Sequence, residues 1–306
     1  MLRLLILLTT QAGAGTDTIS KSPVPSPNPL DLTLYTAVST VYETNLLHTP
    51  SQLNSYGLLL GAGADVRARW SHTTLELQYD GVYRSYTDTD IWDVPGHQAS
   101  IAVAQRVAKR WALGGEAGIQ LNGSSEDRVL RNEYTAQADL EYRPRGASRI
   151  QVYLEYMLKR YPDALNSRNA TDPRVGIRYR RLLGATGAWS IGGRYDYNQA
   201  DTARHTYRGW TATTDVAVPV TATTRISASF RYTLRRYPSR LVTIDTVTRA
   251  KALRRDADHV ATIAWRQGIA RVWEVAGGYR FEYYRSNDPD KIFRDNMFAV
   301  TLTRYW

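Results

Sequence analysis

The feature that most constrains this chain is an alternation of apolar and polar residues that recurs from Leu32 to the last residue. Ile150, Val152, Leu154, Tyr156 and Leu158 share one parity, opposed by Gln151, Tyr153, Glu155 and Lys159. Ile226, Ala228, Phe230, Tyr232 and Leu234 likewise oppose Arg225, Ser227, Ser229, Arg231 and Arg235. A period of two sends successive side chains to opposite faces of a strand, and no helical period fits these stretches. About fourteen such segments can be drawn: 32–44, 55–70, 72–86, 97–108, 110–122, 130–143, 148–161, 173–183, 187–199, 204–218, 221–236, 256–267, 269–285 and 293–306. The expected fold class is all-β.

The connections carry a second signal. Odd-numbered segments are followed by long polar stretches, such as YPDALNSRNATDP (161–173) and RYPSRLVTIDTVTRAKALRR (236–255). Even-numbered ones reverse tightly around Trp70-Ser71, Lys109-Arg110, Arg145-Gly146, Gly184-Ala185, Pro219-Val220 and Gly268-Ile269. A soluble sandwich or propeller has no reason to sort its loops this way, whereas transmembrane barrels have long outer loops and short periplasmic turns. In the last segment Trp306, Arg304, Leu302, Val300 and Phe298 alternate with Tyr305, Thr303, Thr301, Ala299 and Met297. A chain that stops on an aromatic at the end of such a strand resembles the closing strand of bacterial outer-membrane β-barrels. In that family the terminal strand and its aromatic are the signal read by the assembly machinery, and the resemblance gives this role to Phe298, Val300, Leu302 and Trp306. It extends over nearly the whole chain after residue 31, and it is to a porin-like architecture rather than to one named family. The architecture it implies is an antiparallel transmembrane barrel of about 14 strands in the outer membrane.

Composition agrees. The chain has no cysteine, so disulfides and thiolate metal sites are excluded. Hydrophobic residues make up 43%, yet no internal run is long enough for a membrane helix; alternation dilutes the apolar residues as a barrel requires. Tyrosine (21) and tryptophan (8) far outnumber phenylalanine (4), a bias toward amphipathic rings suited to a membrane interface. Trp70, Trp111, Trp189, Trp265, Trp273 and Trp306 all lie beside a short turn or the C-terminus, where an aromatic girdle belongs. Tyr42, Tyr56, Tyr83, Tyr161, Tyr197 and Tyr283 gather toward the other end.

Three regions are expected. Residues 1–14, with Arg3, Leu4 to Leu8 and Ala12-Gly13-Ala14, read as a signal peptide. Residues 15–31 form a Pro-rich periplasmic segment, and residues 32–306 the barrel.

The net charge of +10 suggests an anionic partner, and the placement of the charges has to choose among nucleic acid, acidic lipid and anionic solute. If the apolar parity faces outward, the charges face the interior. The expected pore-lining set is Arg67, Arg69, Glu76, Glu133, Asp139, Glu155, Arg178, Arg180, Arg194, Arg225, Arg231, Arg235 and Arg280, with acids concentrated on the third to seventh strands and arginines on the eighth, ninth and eleventh. Asp80, Glu116, Arg131, Glu141, Asp196, Glu274 and Glu282 share that parity. Such a wall either stabilises itself by mutual pairing or lines a water-filled, anion-favouring pore. Fourteen strands at ~4.8 Å spacing and ~40° tilt enclose a backbone diameter of roughly 28 Å. Inward Gly61, Gly63, Gly114, Gly118, Gly176 and Gly192 either widen the bore or relieve strain in a curved sheet.

Catalytic patterns are missing: there is no phosphate-cradling loop, zinc-ligand spacing or GxSxG elbow. His48, His97, His205 and His259 fall near the long-loop rim with Asp88, Asp90 and Asp93, and are expected to be solvated. No catalytic, cofactor-binding or metal residue is assigned, and no enzyme is expected. The expected partners are outer-membrane lipid and lipopolysaccharide, which the basic stretch 236–255 (Arg240, Arg249, Lys251, Arg254, Arg255) suits better than nucleic acid. The barrel assembly machinery and small, anionic solutes complete the set, with a homo-oligomer or a periplasmic partner left open. The expected function is a porin-like channel; the alternative is a structural or export barrel that anchors a partner.

Overall fold

The computed structural model describes residues 30–49, 53–88, 94–124, 129–144, 147–184, 186–244 and 248–306. The expected signal peptide and nearly all of the Pro-rich segment lie outside them. Fourteen strands follow in order: β1 (Leu30–Glu43), β2 (Ser55–Arg69), β3 (Thr73–Tyr86), β4 (Gly96–Ala108), β5 (Trp111–Ser124), β6 (Leu130–Tyr142), β7 (Ser148–Arg160), β8 (Ala170–Leu183), β9 (Gly187–Ala200), β10 (Tyr207–Pro219), β11 (Thr224–Thr243), β12 (Lys251–Gly268), β13 (Trp273–Ser286) and β14 (Phe293–Tyr305). Each pairs antiparallel with its neighbours in sequence, and β14 pairs with β1 to close the barrel. The closing register sets Tyr42 against Phe298 and Ser39 against Thr301. Closure leaves no unpaired edge, so every strand's backbone polar groups are met by a neighbour.

On one rim only two to five residues separate consecutive strand ends, as between Arg69 and Thr73, Ala108 and Trp111, Tyr142 and Ser148, Leu183 and Gly187, Pro219 and Thr224, and Gly268 and Trp273. Gly184 adopts φ +65° in its turn, with nothing near its missing side chain, so the backbone conformation is what calls for glycine there. On the other rim the connections are longer, with one exception. Residues 125–129 make a link no longer than 143–147, because β5 and β6 keep pairing through a register shift to Ser124 opposite Leu130.

Two expected loops prove to be partly strand. The stretch 236–255 is mostly hairpin, since β11 runs on to Thr243 and pairs Leu241 with Leu253 and Thr243 with Lys251. Its proline, Pro238, falls within a register shift between Arg236 and Leu241, where a ladder N–H is not required. Strand β8 begins at Ala170, ahead of Pro173, rather than after it. The preceding connection is closed by a 3-10 turn at Asp163–Arg168.

Burial alternates along the strands and identifies the faces. On β14, Asp295, Met297, Ala299, Thr301 and Thr303 are buried, while Phe298, Val300 and Leu302 are exposed. The outer surface is a continuous apolar band: Leu154 is 63% exposed, Ile177 54% and Val300 55%. The interior is largely polar; its buried apolar residues include Met157, Val260 and Ala264 and a small cluster of Val41, Leu59, Met297 and Ala299 on β1, β2 and β14, against which Val82 packs.

Three of the inward glycines, Gly63, Gly114 and Gly176, do not widen the bore. A side chain at Gly63 would collide with the ring of Tyr35, which crosses from β1 to bond Asp80 on β3. Likewise Tyr153 covers Gly176, and the Asp139 carboxylate covers Gly114. Each of these glycines is a seat for a larger neighbour lying flat across the wall, which thickens it.

Candidate functional site

The inner face of β7 to β14, with the end of β1, carries a belt of paired polar groups. Arg174 on β8 bonds Glu155 of β7 (Nη1–Oε1, 2.6 Å) and Asp172 (Nη2–Oδ2, 2.7 Å). The Lys159 ammonium donates to Asp172 at 2.6 Å and to Asn198 of β9 at 2.9 Å. Lys159 and Arg235 both lie over the ring of Tyr207 on β10. That ring is 5.5 Å from the ring of Tyr237, over which the Arg254 guanidinium sits at 4.9 Å. Arg254 pairs with Asp256, whose carboxylate also accepts from Tyr284 and Ser286 of β13. Further along β11, Arg231 reaches Asp258 at 3.0 Å. Arg280 ends the run on Glu282 and, at 3.9 Å, on Asp295.

These groups are enclosed as well as paired. Asp172, Asp258 and Glu282 are 0% exposed, although they face the inside of a barrel. Charges so far out of water persist only when partners and hydrogen bonds replace their hydration.

The same wall differs near the short turns. Arg149 on β7 stands directly opposite Arg180 on β8, and Arg225 on β11 directly opposite Arg266 on β12. Arg178 shares the face two residues above Arg180. The charges of Arg266 and Arg180 both act on Arg225, whose Nη2 donates to the carbonyl of Thr186 at 2.7 Å. Glu141, 3.6 Å from Arg149, and Glu274, within electrostatic reach of Arg266, offset part of this charge. Like charges directly opposite in a sheet are destabilising, so this arrangement works against the stability of the fold.

The structure places all thirteen expected lining residues on the inner parity but distributes them between these settings. Glu155, Arg231, Arg235 and Arg280 belong to the enclosed belt. Arg194 lies 3.8 Å from Asp196 beside it. Arg67 pairs with Glu76 at 2.9 Å, Glu133 pairs with Arg131, and Asp139 covers Gly114. Arg69, Arg178, Arg180 and Arg225 lie toward the short-turn end. Phe298, Val300 and Leu302 face outward, while the backbone N–H of Trp306 donates to the Leu34 carbonyl at 3.0 Å.

Several belt members were not in the expected set. Asp172 and Arg254 fall in stretches expected to be loops and so escape the parity count, whereas Asp256 opens an expected strand. Glu43, Lys159, Arg174 and Asp258 lay within drawn strands, and parity alone could have found them. The expectation that acids concentrate on the third to seventh strands is therefore incomplete, because Asp256, Asp258, Glu282 and Asp295 supply the counter-charges on β12 to β14.

The expected solvated rim of histidines also needs correction. His97 bonds the Tyr79 hydroxyl at 2.9 Å, and the His259 ring packs beside Tyr232 and Tyr283. His48 is 5% exposed and enters the barrel from the connection 44–54. Asn45 builds that entry: its backbone N–H donates to Asp295 Oδ1 at 3.1 Å and its side chain to the carbonyls of Thr49 and Arg294. The His48 Nε2 faces Asp295 at 3.5 Å and both Glu43 and Glu282 at 3.9 Å. Burial by itself pushes the imidazole pKa down, but Glu282 and Asp295 outweigh burial and the opposing Arg280, so the net shift is upward.

No family model and no curated protein matches the chain by sequence. Its backbone is similar to that of OmpT, an outer membrane protein of Vibrio cholerae, with a TM-score of 0.53 and 10% identity over 93% of this chain and 100% of that one. It is similar too to the outer membrane channel DcaP of Acinetobacter baumannii, with a TM-score of 0.53 and 7% identity over 90% and 97%. A bacterial polysaccharide outer membrane secretin gives 0.50 and 9% over 89% and 98%. At such identities the likeness is one of fold. The closed sheet and its lipid-suited outer face decide the rest, because a band this wide and apolar is not left in water. The protein is a β-barrel of the bacterial outer membrane.

The barrel's outer aromatics suit that setting. Trp70, Trp111, Trp265 and Trp306 are exposed at the short-turn rim, and Arg304 lies over the rings of Trp306 and Trp273 at 3.6 and 5.6 Å. A guanidinium on the lipid face is thereby held at the interface, where its charge stays hydrated.

Proposed function

We propose that the barrel is a channel for passive passage of small anionic solutes across the outer membrane. The observation that carries this reading is the pair of opposed arginine couples, Arg149 with Arg180 and Arg225 with Arg266, on the inner wall near the periplasmic turns. A wall that opposes like charges at a cost to the fold is suited to attracting mobile counter-charge. In a wet lumen each charge is screened over roughly 8–10 Å, so the preference is modest and fades with salt. Purified barrel in a planar bilayer should conduct, with a reversal potential across a salt gradient on the anion side. Absence of conductance would end the channel reading.

A second reading, an anchoring or export barrel, is favoured by the enclosure of the belt. Buried polar side chains on every strand from β7 to β14 narrow the bore on that side, as a barrel whose work is done by a partner could tolerate. A barrel that folds and inserts without conducting would bring this reading forward.

A further inference from the structure

We propose that Glu43, His48, Asp295 and Glu282 form a binding site for one first-row divalent transition cation, which pins the connection 44–54 to the seam where β1 meets β14. The site is independent of the channel reading, because it lies in the enclosed belt and not on the arginine-rich wall.

Geometry is the first support. One ligand atom each from Glu43, His48 and Asp295 lies within 4.8 Å of the others. The His48 Nε2 stands 3.5 Å from Asp295 and 3.9 Å from Glu43, so one ring nitrogen faces both carboxylates. Ligand atoms held about 2.0–2.2 Å from a common ion stand roughly 3–3.5 Å apart. The His48–carboxylate separations lie within a few tenths of an ångström of that spacing, and the widest pair, within 4.8 Å, closes by up to about 1.3 Å when an ion is held.

Charge and enclosure are the second. Glu43 and Glu282 are 0% exposed, Asp295 1% and His48 5%. Among these four groups and Arg280 there are three carboxylates, one guanidinium and one imidazole. With the imidazole neutral they sum to two negative charges, which a divalent cation balances. The Oε1 atom of Glu282 is buried and accepts no hydrogen bond, leaving a lone pair directed into protein. Beneath the cluster lies the apolar patch of Val41, Leu59, Met297 and Ala299; above it are Asn45 and Leu46, both 0% exposed. So dry a compartment gives an unbalanced charge little help from solvent.

The surroundings also hold the ligands in place. Asp295 Oδ1 accepts from the Asn45 backbone, Arg280 braces Glu282 and Asp295, and the Phe293 ring stacks on His48 at 4.4 Å. Such outer contacts orient ligands and tune affinity. One imidazole among carboxylates suits zinc, manganese or nickel, whereas magnesium and calcium favour oxygen alone. The ligands come from loop 44–54, β1, β13 and β14, so the ion would join the two ends of the sheet.

The test uses the full chain refolded from denaturant into detergent, free of lipopolysaccharide, stripped with EDTA, and exposed to zinc or manganese chloride with magnesium as control. Wild type should retain about one zinc per chain after desalting, measured by mass spectrometry of the element, and should unfold at a higher temperature with zinc than with EDTA. His48→Gln should bind zinc at least about tenfold more weakly while still migrating as a folded, heat-modifiable band. Glu43→Gln serves the same purpose if His48→Gln does not fold, and wild-type retention with its thermal shift decides if neither does. The proposal is overturned if wild type keeps neither zinc nor manganese and unfolds at one temperature in all conditions. A folded variant with undiminished zinc overturns it equally, since the ion would then be elsewhere.

Discussion

Two parts of one inner wall, built from the same strands and the same residue types, behave in opposite ways. Toward the long loops, arginines meet carboxylates: Arg174 holds Glu155 and Asp172, and Arg231 holds Asp258. Toward the short turns, arginine meets arginine, with Arg149 opposite Arg180 and Arg225 opposite Arg266. The first arrangement is what a fold needs once charges have left water. The second sets like charges side by side, offset only in part by Glu141 and Glu274, which is what the proposed passage of anions would use. An arginine count cannot separate the two; the register partner does.

The comparison breaks most readily at its enclosed end. Arg174→Met removes the partner of two buried carboxylates and should cost about 3–5 kcal/mol, read as a lower urea midpoint of the refolded barrel. Ion selectivity should not change, and a stable Arg174→Met barrel would show that the belt does not support the fold. Phe298→Asp calibrates this loss from the lipid side. Its ring faces outward and packs on Tyr279 at 4.7 Å, so a charge there should cost about 2–4 kcal/mol, toward the low end for Asp, and impair insertion. Intact insertion would argue against a barrel closed by this strand.

Substitutions near the short turns should do the reverse. Arg178→Gln, Arg225→Gln and Arg266→Gln together should move the reversal potential toward cations, with stability changed by no more than about 1 kcal/mol. Arg231→Gln should leave that potential where it is. If Arg231→Gln shifts selectivity as much as the triple variant, the division of the wall is wrong. The smallest effect concerns wild type alone. Raising salt from about 0.1 to 1 M shortens the screening length from about 10 to 3 Å, and the anion preference should largely vanish. A preference that survives would mean a dry constriction rather than a wet, charged wall.

Much of the fold was legible in the chain because strand periodicity is local. The fourteen segments, their alternation and the outward Phe298, Val300 and Leu302 can be read without knowing any partner. The errors fell where a local signal was overruled by pairing. Pro173 and Pro238 looked like loop residues, yet one joins the start of β8 and the other sits where the β11 ladder shifts register. Loops drawn too long hide Asp172 and Arg254. Which role the inward glycines play was open for a related reason, since what lies across Gly63 is Tyr35 of another strand.

The sequence by itself determined which residues face lipid and which face inward, because alternation along a strand fixes the face of every side chain. Only the tertiary structure decided which inward charges neutralise one another. That depends on cross-strand register and on barrel closure, which bring Glu43 and His48 against Asp295 from the far end of the chain. Parity is a property of one strand, whereas pairing is a property of two, and the energy of a buried charge is set by its partner.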